Sequence, residues 1–373
     1  RYMNKSIKVE QLLYLVAFLS ALLFRVMHLG QPPLSDNEAI ISLQALDITH
    51  GDSPAVVLQP IYVVFSAALF FLTEPSGFTA RMMAALFGAL LVVVVYLARN
   101  SIGKMPALLL SFIVAFDPTL VAVSRQAGST TIALSAGLMS LIFISKGRMR
   151  LAGLFTAVAL LTGENLWMGA ISLAAALGWM HWSDQRRMDP KVTSLSDLGN
   201  WKEYAFFLAG SMAILGSGFF IVPRGIAGVG EGLTAFFSNW IGGGWNGLVY
   251  RLRLMIFYEP FLILFSVIGM VWQSRERNWL QRWSVRWLVL AAFLYWLRPG
   301  GGPQELAWVV LPMSLIAAEV LAKTISASQD HAGAIAGYSL MILVLLIFGW
   351  LNLSALPAAQ NQLVMSIRMI GLA

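Results

Sequence analysis

Apolar stretches of up to about twenty residues alternate with short polar breaks along almost the whole chain, at 9–29, 55–72, 78–98, 105–123, 129–145, 151–163, 166–182, 203–222, 254–273, 285–297, 306–322 and 333–353. A helix of about twenty apolar residues crosses a hydrocarbon core of roughly 30 Å. Inside lipid, a backbone satisfies its polar groups only in helices or closed barrels. Long apolar runs, in place of short alternating ones, exclude a barrel. The pattern therefore predicts an all-α, polytopic membrane protein of about 11 to 12 transmembrane helices, in a single domain over 1–373.

Charge refines this picture. Arg99/Lys104, Lys146/Arg148/Arg150, Arg186/Arg187/Lys191/Lys202 and Arg275/Arg277/Arg282/Arg286 occupy breaks of the kind that face the cytoplasm. All four share that side only if one segment before Arg99 fails to cross. Residues 55–72, which carry Gln59-Pro60 and follow Ser53-Pro54, are expected to form a re-entrant or surface helix pair, leaving about eleven crossings. Arg1, Lys5 and Lys8 place the N-terminus in the cytoplasm, and 9–29, without a small-residue cleavage site, reads as a retained anchor.

Several polar passages then share the outer face. The first, 30–60, is an acidic loop holding Asp36, Glu38, Asp47 and Asp52 with no Lys or Arg. The others are the Ser124-Arg125 turn, the Gly163-Glu164 break, a basic loop over 223–253 and the turn at 298–305. In the basic loop, Arg224, Arg251 and Arg253 stand where the charge rule disfavours them, which implies an anionic partner.

With 58% hydrophobic and 12% charged residues and a mean hydropathy of +0.74, a soluble domain is excluded. The net charge of +7 is accounted for by topology, so no nucleic-acid partner is expected. Absence of cysteine removes disulfides, thiol nucleophiles and thiolate metal sites. Four scattered histidines offer no paired ligand spacing.

Ser35-Asp36-Asn37-Glu38 reads as a capping box that opens a short helix with Ala39, Leu43 and Leu46 on its membrane-facing side. The box uses Ser35 and Glu38 and leaves Asp36 for a second role, general base on an acceptor hydroxyl; capping and catalysis explain the stretch equally well. Asp47, His50 and Asp52 read as solvated. Arg81 and Arg125 either snorkel to water or hold a lipid phosphate bidentately. Glu164 belongs at the outer interface, where its charge costs little. The glycine-rich stretches Gly242–Gly244 and Gly300–Gly302 match no nucleotide phosphate loop and read as flexible connections, with Tyr258-Glu259-Pro260, Glu305 and Trp308 closing over a ligand.

The order of these features resembles the GT-C superfamily of membrane glycosyltransferases, which includes protein O-mannosyltransferases, lipid A aminoarabinose transferases and the oligosaccharyltransferase catalytic subunit. Asp36-Asn37-Glu38 resembles the acidic first-loop motif, and Gln59-Pro60-Ile61-Tyr62 resembles the stretch that follows it. The span from Phe78 to Leu90, led by Arg81, and Ser124-Arg125-Gln126-Ala127-Gly128-Ser129 look like the next two motifs. Where the family has a His this chain has Leu58 or Gln59, and Ser129, Thr130 or Thr131 stands in place of the second-loop acid. The resemblance implies an inverting transfer of a sugar from a polyprenyl-phosphate carrier, at the outer face of a prokaryotic plasma membrane. Asp36 would act as base with Glu38 assisting, and Arg81 and Arg125, with Arg224, Arg251 or Arg253, would neutralise the departing phosphate. Gln59, Tyr62, Glu164 and Glu305 would line the substrate. No cofactor is expected, and no divalent metal. The alternative is an inactive GT-C-like scaffold or lipid-binding subunit in a larger membrane complex.

Overall fold

The computed structural model describes residues 9–52, 54, 57–186, 200–220, 223–242, 247–273, 279–299 and 302–327. The segment 333–353, the tail after it, Arg1, Lys5 and Lys8 lie outside the described residues. The described chain is built from α-helices and one 3₁₀ turn, as the hydrophobic pattern predicts. In order they are α1 (Val9–Val26), α2 (Asp36–Thr49), α3 (Pro60–Leu72), α4 (Gly77–Ile102), α5 (Lys104–Phe116), α6 (Pro118–Ser124), α7 (Thr130–Ser145) and α8 (Met149–Leu160). There follow α9 (Glu164–Arg186), α10 (Trp201–Gly216), the 3₁₀ turn Pro223–Ala227, α11 (Gly228–Gly242), α12 (Leu248–Tyr258), α13 (Pro260–Gln273), α14 (Trp279–Leu297) and α15 (Pro303–Ala327).

Among the described residues α1, α4 and α15 are each long and apolar enough to cross a membrane, and two bent pairs, α5–α6 at 54° and α12–α13 at 88°, have the length and apolarity of broken spans or re-entrant loops, so the number is three, or up to five if each pair is one span. The chain is thus a multi-pass membrane protein. Helix α3 opens with proline at its first position and has 13 residues. At 1.5 Å per residue it reaches about 20 Å, too short to cross alone. The 223–253 passage, expected as a loop, is largely helical in α11 and α12.

The run 105–123 reads as one span in the sequence, and Asp117-Pro118 breaks it. Pro118 has no N–H, so the Val114 carbonyl loses its helical donor. Thr119 N–H turns instead to the Glu259 carboxyl at 3.3 Å, which leaves the Ala115 carbonyl without a partner in the helix. Asp117 caps α6 by accepting from Leu120 N–H at 2.8 Å. Arg25, fully buried on α1, then donates to both orphaned carbonyls, Val114 and Ala115, at 3.0 Å each. A break in a span is tolerated when protein groups re-satisfy the freed backbone in this way.

Helix α15 forms the centre, with 94% of its apolar window buried, packed against α5, α13 and α14. On another side, α4 lies close to α1 and α6 because Gly88 has no side chain. A Cβ there would stand 2.5 Å from Ser124 Cβ and 2.8 Å from Arg25 Nε. Gly88→Ala gains about 1 kcal/mol of helix propensity, but overpacking costs about 1–3 kcal/mol, and here the crowded neighbour is an arginine that holds the α5–α6 break. The variant is expected to unfold at a lower temperature in detergent than the native chain.

Candidate functional site

The first polar loop is organised on Glu38, which is buried. Its Oε2 accepts from Ser35 N–H at 2.9 Å and Ser35 Oγ at 3.0 Å, completing the capping box foreseen in the sequence. Across the fold, Arg81 donates Nε to Glu38 Oε1 at 2.7 Å and Nη2 to Oε2 at 2.9 Å. Its remaining donors go to the carbonyls of Leu29 at 3.1 Å, Pro32 at 2.8 Å and Pro33 at 2.9 Å. All five N–H groups of this guanidinium are therefore engaged within the protein. Ala127 N–H, from the loop after α6, reaches Glu38 Oε1 at 2.8 Å.

Asp36 occupies the first turn of α2 and is exposed. Residues two apart on a helix point to different sides, so the helix that buries Glu38 turns Asp36 outward.

The loop from Arg125 to Ser129 joins the same end of the bundle. Arg125 donates Nη1 to the carbonyls of Phe24 at 2.8 Å and Met27 at 2.7 Å, closing the C-terminal end of α1, and remains half-buried. Burial and the nearby Arg81 both pull it below the ordinary arginine value. Gln59, one of the two residues, with Leu58, that stand where the GT-C resemblance has a His, accepts from Ser129 N–H at 2.8 Å. Ser129 Oγ in turn donates to Thr162 O at 2.7 Å and accepts from Asn165 Nδ2 at 2.9 Å. Gly163 adopts φ +71°, and a Cβ there would fall 2.0 Å from Leu58 O. Gly232 of α11 presses on the other side, where an added Cβ would lie 2.6 Å from Gly163 Cα.

A second charged centre lies where α9, α11, α14 and α15 meet. Arg298 is buried, 2.9 Å from Glu305 and 3.6 Å from Glu164, with its guanidinium 4.7 Å from the Phe236 ring. Glu305 also accepts from Gly302 N–H at 2.8 Å, and Asn239 donates to Glu164 at 3.1 Å. Burial pushes the Glu164 carboxyl up; Arg298 and Asn239 oppose this and Glu305 adds to it.

Arg251 on α12 is 1% exposed and reaches the C-terminal end of α14. Its Nη1 donates to the carbonyls of Tyr295 and Trp296 at 3.0 Å each, and to Arg298 O. Arg251 Nη2 and the Tyr295 hydroxyl, both buried, make no hydrogen bond among the described residues.

The passages expected on one face thus meet. The 30–60 loop, 125–129, the Gly163-Glu164 break, α11, α12 and the 298–305 turn form one connected rim. Several expected site residues act inside the frame. Tyr62 is 1% exposed and donates its hydroxyl to Ala80 O, while Glu305 caps α15. Arg253 is exposed, and Arg224 lies in the 3₁₀ turn with its side chain outside the described set. Glu259, expected to close over a ligand, is 2% exposed inside the bundle, and Trp308 is buried with Nε1 on Asn165 O at 2.9 Å. The sequence reading overlooked Arg25, Asp117, Tyr295 and Arg298. Asp-Pro within an apolar span signalled the second; Arg298 lay concealed beside glycines read as a flexible turn.

The crystal structure of ArnT from Cupriavidus metallidurans bound to undecaprenyl phosphate is similar, with a TM-score of 0.64 at 14% identity over 97% of this chain and 67% of that one. The oligosaccharyltransferase of Archaeoglobus fulgidus is similar in its apo form, with a TM-score of 0.61 at 12% identity over 94% of this chain and 56% of that one. Its form tethered to an acceptor peptide containing the NVT sequon gives a TM-score of 0.60 at 12% identity, over 93% and 55%. Both neighbours are GT-C glycosyltransferases, and this chain shares their fold, spanning little more than half the length of the oligosaccharyltransferase. No protein-family model matches the sequence, and no curated protein matches it.

Proposed function

We propose that this chain is a membrane glycosyltransferase that moves a sugar from a polyprenyl-phosphate donor to an acceptor at the outer face of a prokaryotic plasma membrane, with the N-terminus in the cytoplasm. The observation that carries the reading is the pair of donors without a partner among the described residues, Arg251 Nη2 and the Tyr295 hydroxyl, buried at the rim that also bears Asp36. A buried guanidinium edge without a partner is costly, and a phosphate oxygen is the acceptor best matched to it. The fold is one in which ArnT binds undecaprenyl phosphate.

In this scheme Asp36 takes the proton of the acceptor hydroxyl, whose oxygen attacks the anomeric carbon from the side opposite the phosphate. The glycosidic C–O bond breaks with its electron pair going to the lipid phosphate, and Arg251, Tyr295 and the open edge of Arg125 bind that charge. Glu38 and Arg81, saturated by one another and by the surrounding backbone, hold the loop that carries Asp36. No step is routed through a metal or a nucleotide.

Undecaprenyl phosphate titrated into the protein in nanodiscs tests the anchor. A charge-assisted hydrogen bond contributes about 1.5–3 kcal/mol, so Arg251→Gln is expected to weaken binding about ten- to a hundredfold. Arg150→Gln, on an exposed ion pair with Glu203, should leave it unchanged. Equal affinities for the two variants would remove Arg251 from the site.

A second reading is favoured by the bond between Gln59 and Ser129, which stand where the GT-C resemblance has a His and near where it has an acid. Such a chain would be an inactive scaffold or lipid-binding subunit. Purification in mild detergent with a stoichiometric protein partner, and with no lipid-linked sugar turnover, would decide for it.

A further inference from the structure

Two acidic side chains lie inside the bundle, apart from the rim. Asp117 stands at the α5–α6 break and Glu259 at the α12–α13 break, 4% and 2% exposed. Helix α5 has 13 residues and α13 has 14. At 1.5 Å per residue, each acid stands about 20 Å from the far end of its helix. Thr119, two residues after Asp117, holds the Glu259 carboxyl against the same turn that Asp117 caps, so the two acids share one buried break. Glu259 accepts from the Thr119 hydroxyl and from Thr119 N–H at 3.3 Å, and Asp117 from Leu120 N–H at 2.8 Å. The cation facing Asp117 is Arg25, fully buried, whose Nε makes no hydrogen bond among the described residues.

Two carboxylates at one turn, both ionised and both removed from water, repel strongly, and one arginine balances only one of them. A proton between them resolves both difficulties. Glu259 then donates an O–H to an Asp117 oxygen, the pair carries a single negative charge, and Arg25 brings the sum to zero. Ionisable groups at membrane depth persist where they are paired in this way, and they mark function more often than packing.

The placement gives the pair a task. Hydrogen bonds tie the α12 arm to the end of α14 through Arg251 and to the α5–α6 break through Glu259, the residue that caps α12. We propose that Asp117 and Glu259 share one proton, and that this joint, balanced by Arg25, is the positioning element that seats the α12 arm and with it Arg251. Its bearing on lipid phosphate rests on the proposed function; the joint itself does not.

Infrared spectroscopy of the intact protein in nanodiscs at neutral pH, native against Glu259→Gln, tests the proton. The glutamine is isosteric with a protonated glutamate, donating to Asp117 and accepting from Thr119. The carbonyl stretch of one protonated carboxylic acid is expected to vanish in the variant. Hydrogen exchange across 248–258 tests the seating. Glu259→Gln should protect α12 as the native chain does, whereas Glu259→Ala should exchange there at least about tenfold faster, a loss of roughly 1.4 kcal/mol. An undiminished acid band in Glu259→Gln, or α12 as exposed in the glutamine variant as in the alanine one, overturns the proposal. If Glu259→Ala does not fold, the glutamine spectrum and its protection against the native chain still decide. A lost band and a seated arm in a protein that does not bind undecaprenyl phosphate would uphold the joint and refute the transferase reading instead.

Discussion

Arg81→Ala is expected to destabilise the protein by about 3–5 kcal/mol, the range for removing one partner of a buried ion pair. The substitution strips Glu38 of its bidentate partner and leaves the carbonyls of Leu29, Pro32 and Pro33 without their donors. Arg150→Ala removes a looser pair with Glu203, at 3.0 and 3.5 Å, whose side chains are 66% and 40% exposed, and should leave the unfolding temperature nearly unchanged. Acid acts on the same centre. Burial alone would raise the Glu38 carboxyl, but the bonds from Arg81, Ser35 and Ala127 outweigh it and hold the group at about 2 against an ordinary 4.5. A depressed value gives stability that is fully present above 4.5 and is lost as pH falls toward 2. Thermal unfolding in detergent checks both statements. The native protein should lose stability across that interval while Glu38→Gln, weaker at neutral pH, changes little there. Equal unfolding temperatures for Arg81→Ala and Arg150→Ala would refute the account.

The length and spacing of apolar runs made the helical, membrane-spanning architecture legible, because backbone in lipid has few solutions. The capping box at Ser35–Glu38 was legible for a related reason, since both partners lie within one turn. What the sequence hid was long-range. Nothing near Glu38 announces that Arg81, 43 residues away, will take both its oxygens, or that Ala127 will add a third element to the same carboxyl. Hydropathy also passes over a break as short as Asp117-Pro118, since one polar residue hardly changes a mean taken over a whole span. Gly163 and Gly232 were unreadable for the opposite reason. Each has its role through what it does not carry, and only the neighbouring backbone shows that a methyl group would not fit.

These contacts sharpen the expectation for Asp36. Of the two acids in the capping turn, Asp36 and Glu38, the second has both oxygens committed, so the proton of an acceptor hydroxyl has nowhere to go on it. Asp36 is exposed at the start of α2, on a loop fastened by Glu38 and Arg81. Asp36→Asn is therefore expected to lower transfer by about 10²–10⁴-fold, the usual contribution of general base catalysis. The amide keeps the size and shape of the carboxylate but cannot accept the proton. Its effect on folding is bounded by the loss of a first-turn charge at a helix N-terminus, about 0.3–1 kcal/mol. Release of free polyprenyl phosphate from the lipid-linked sugars of membranes containing the protein, followed by mass spectrometry, measures the step whichever sugar is transferred. Undecaprenyl phosphate affinity should be unchanged, because the proposed anchor is Arg251 with Tyr295. A variant with native turnover would take Asp36 out of the chemistry. A variant that loses affinity as fully as turnover would place it in binding, and either result would leave the rim without a base.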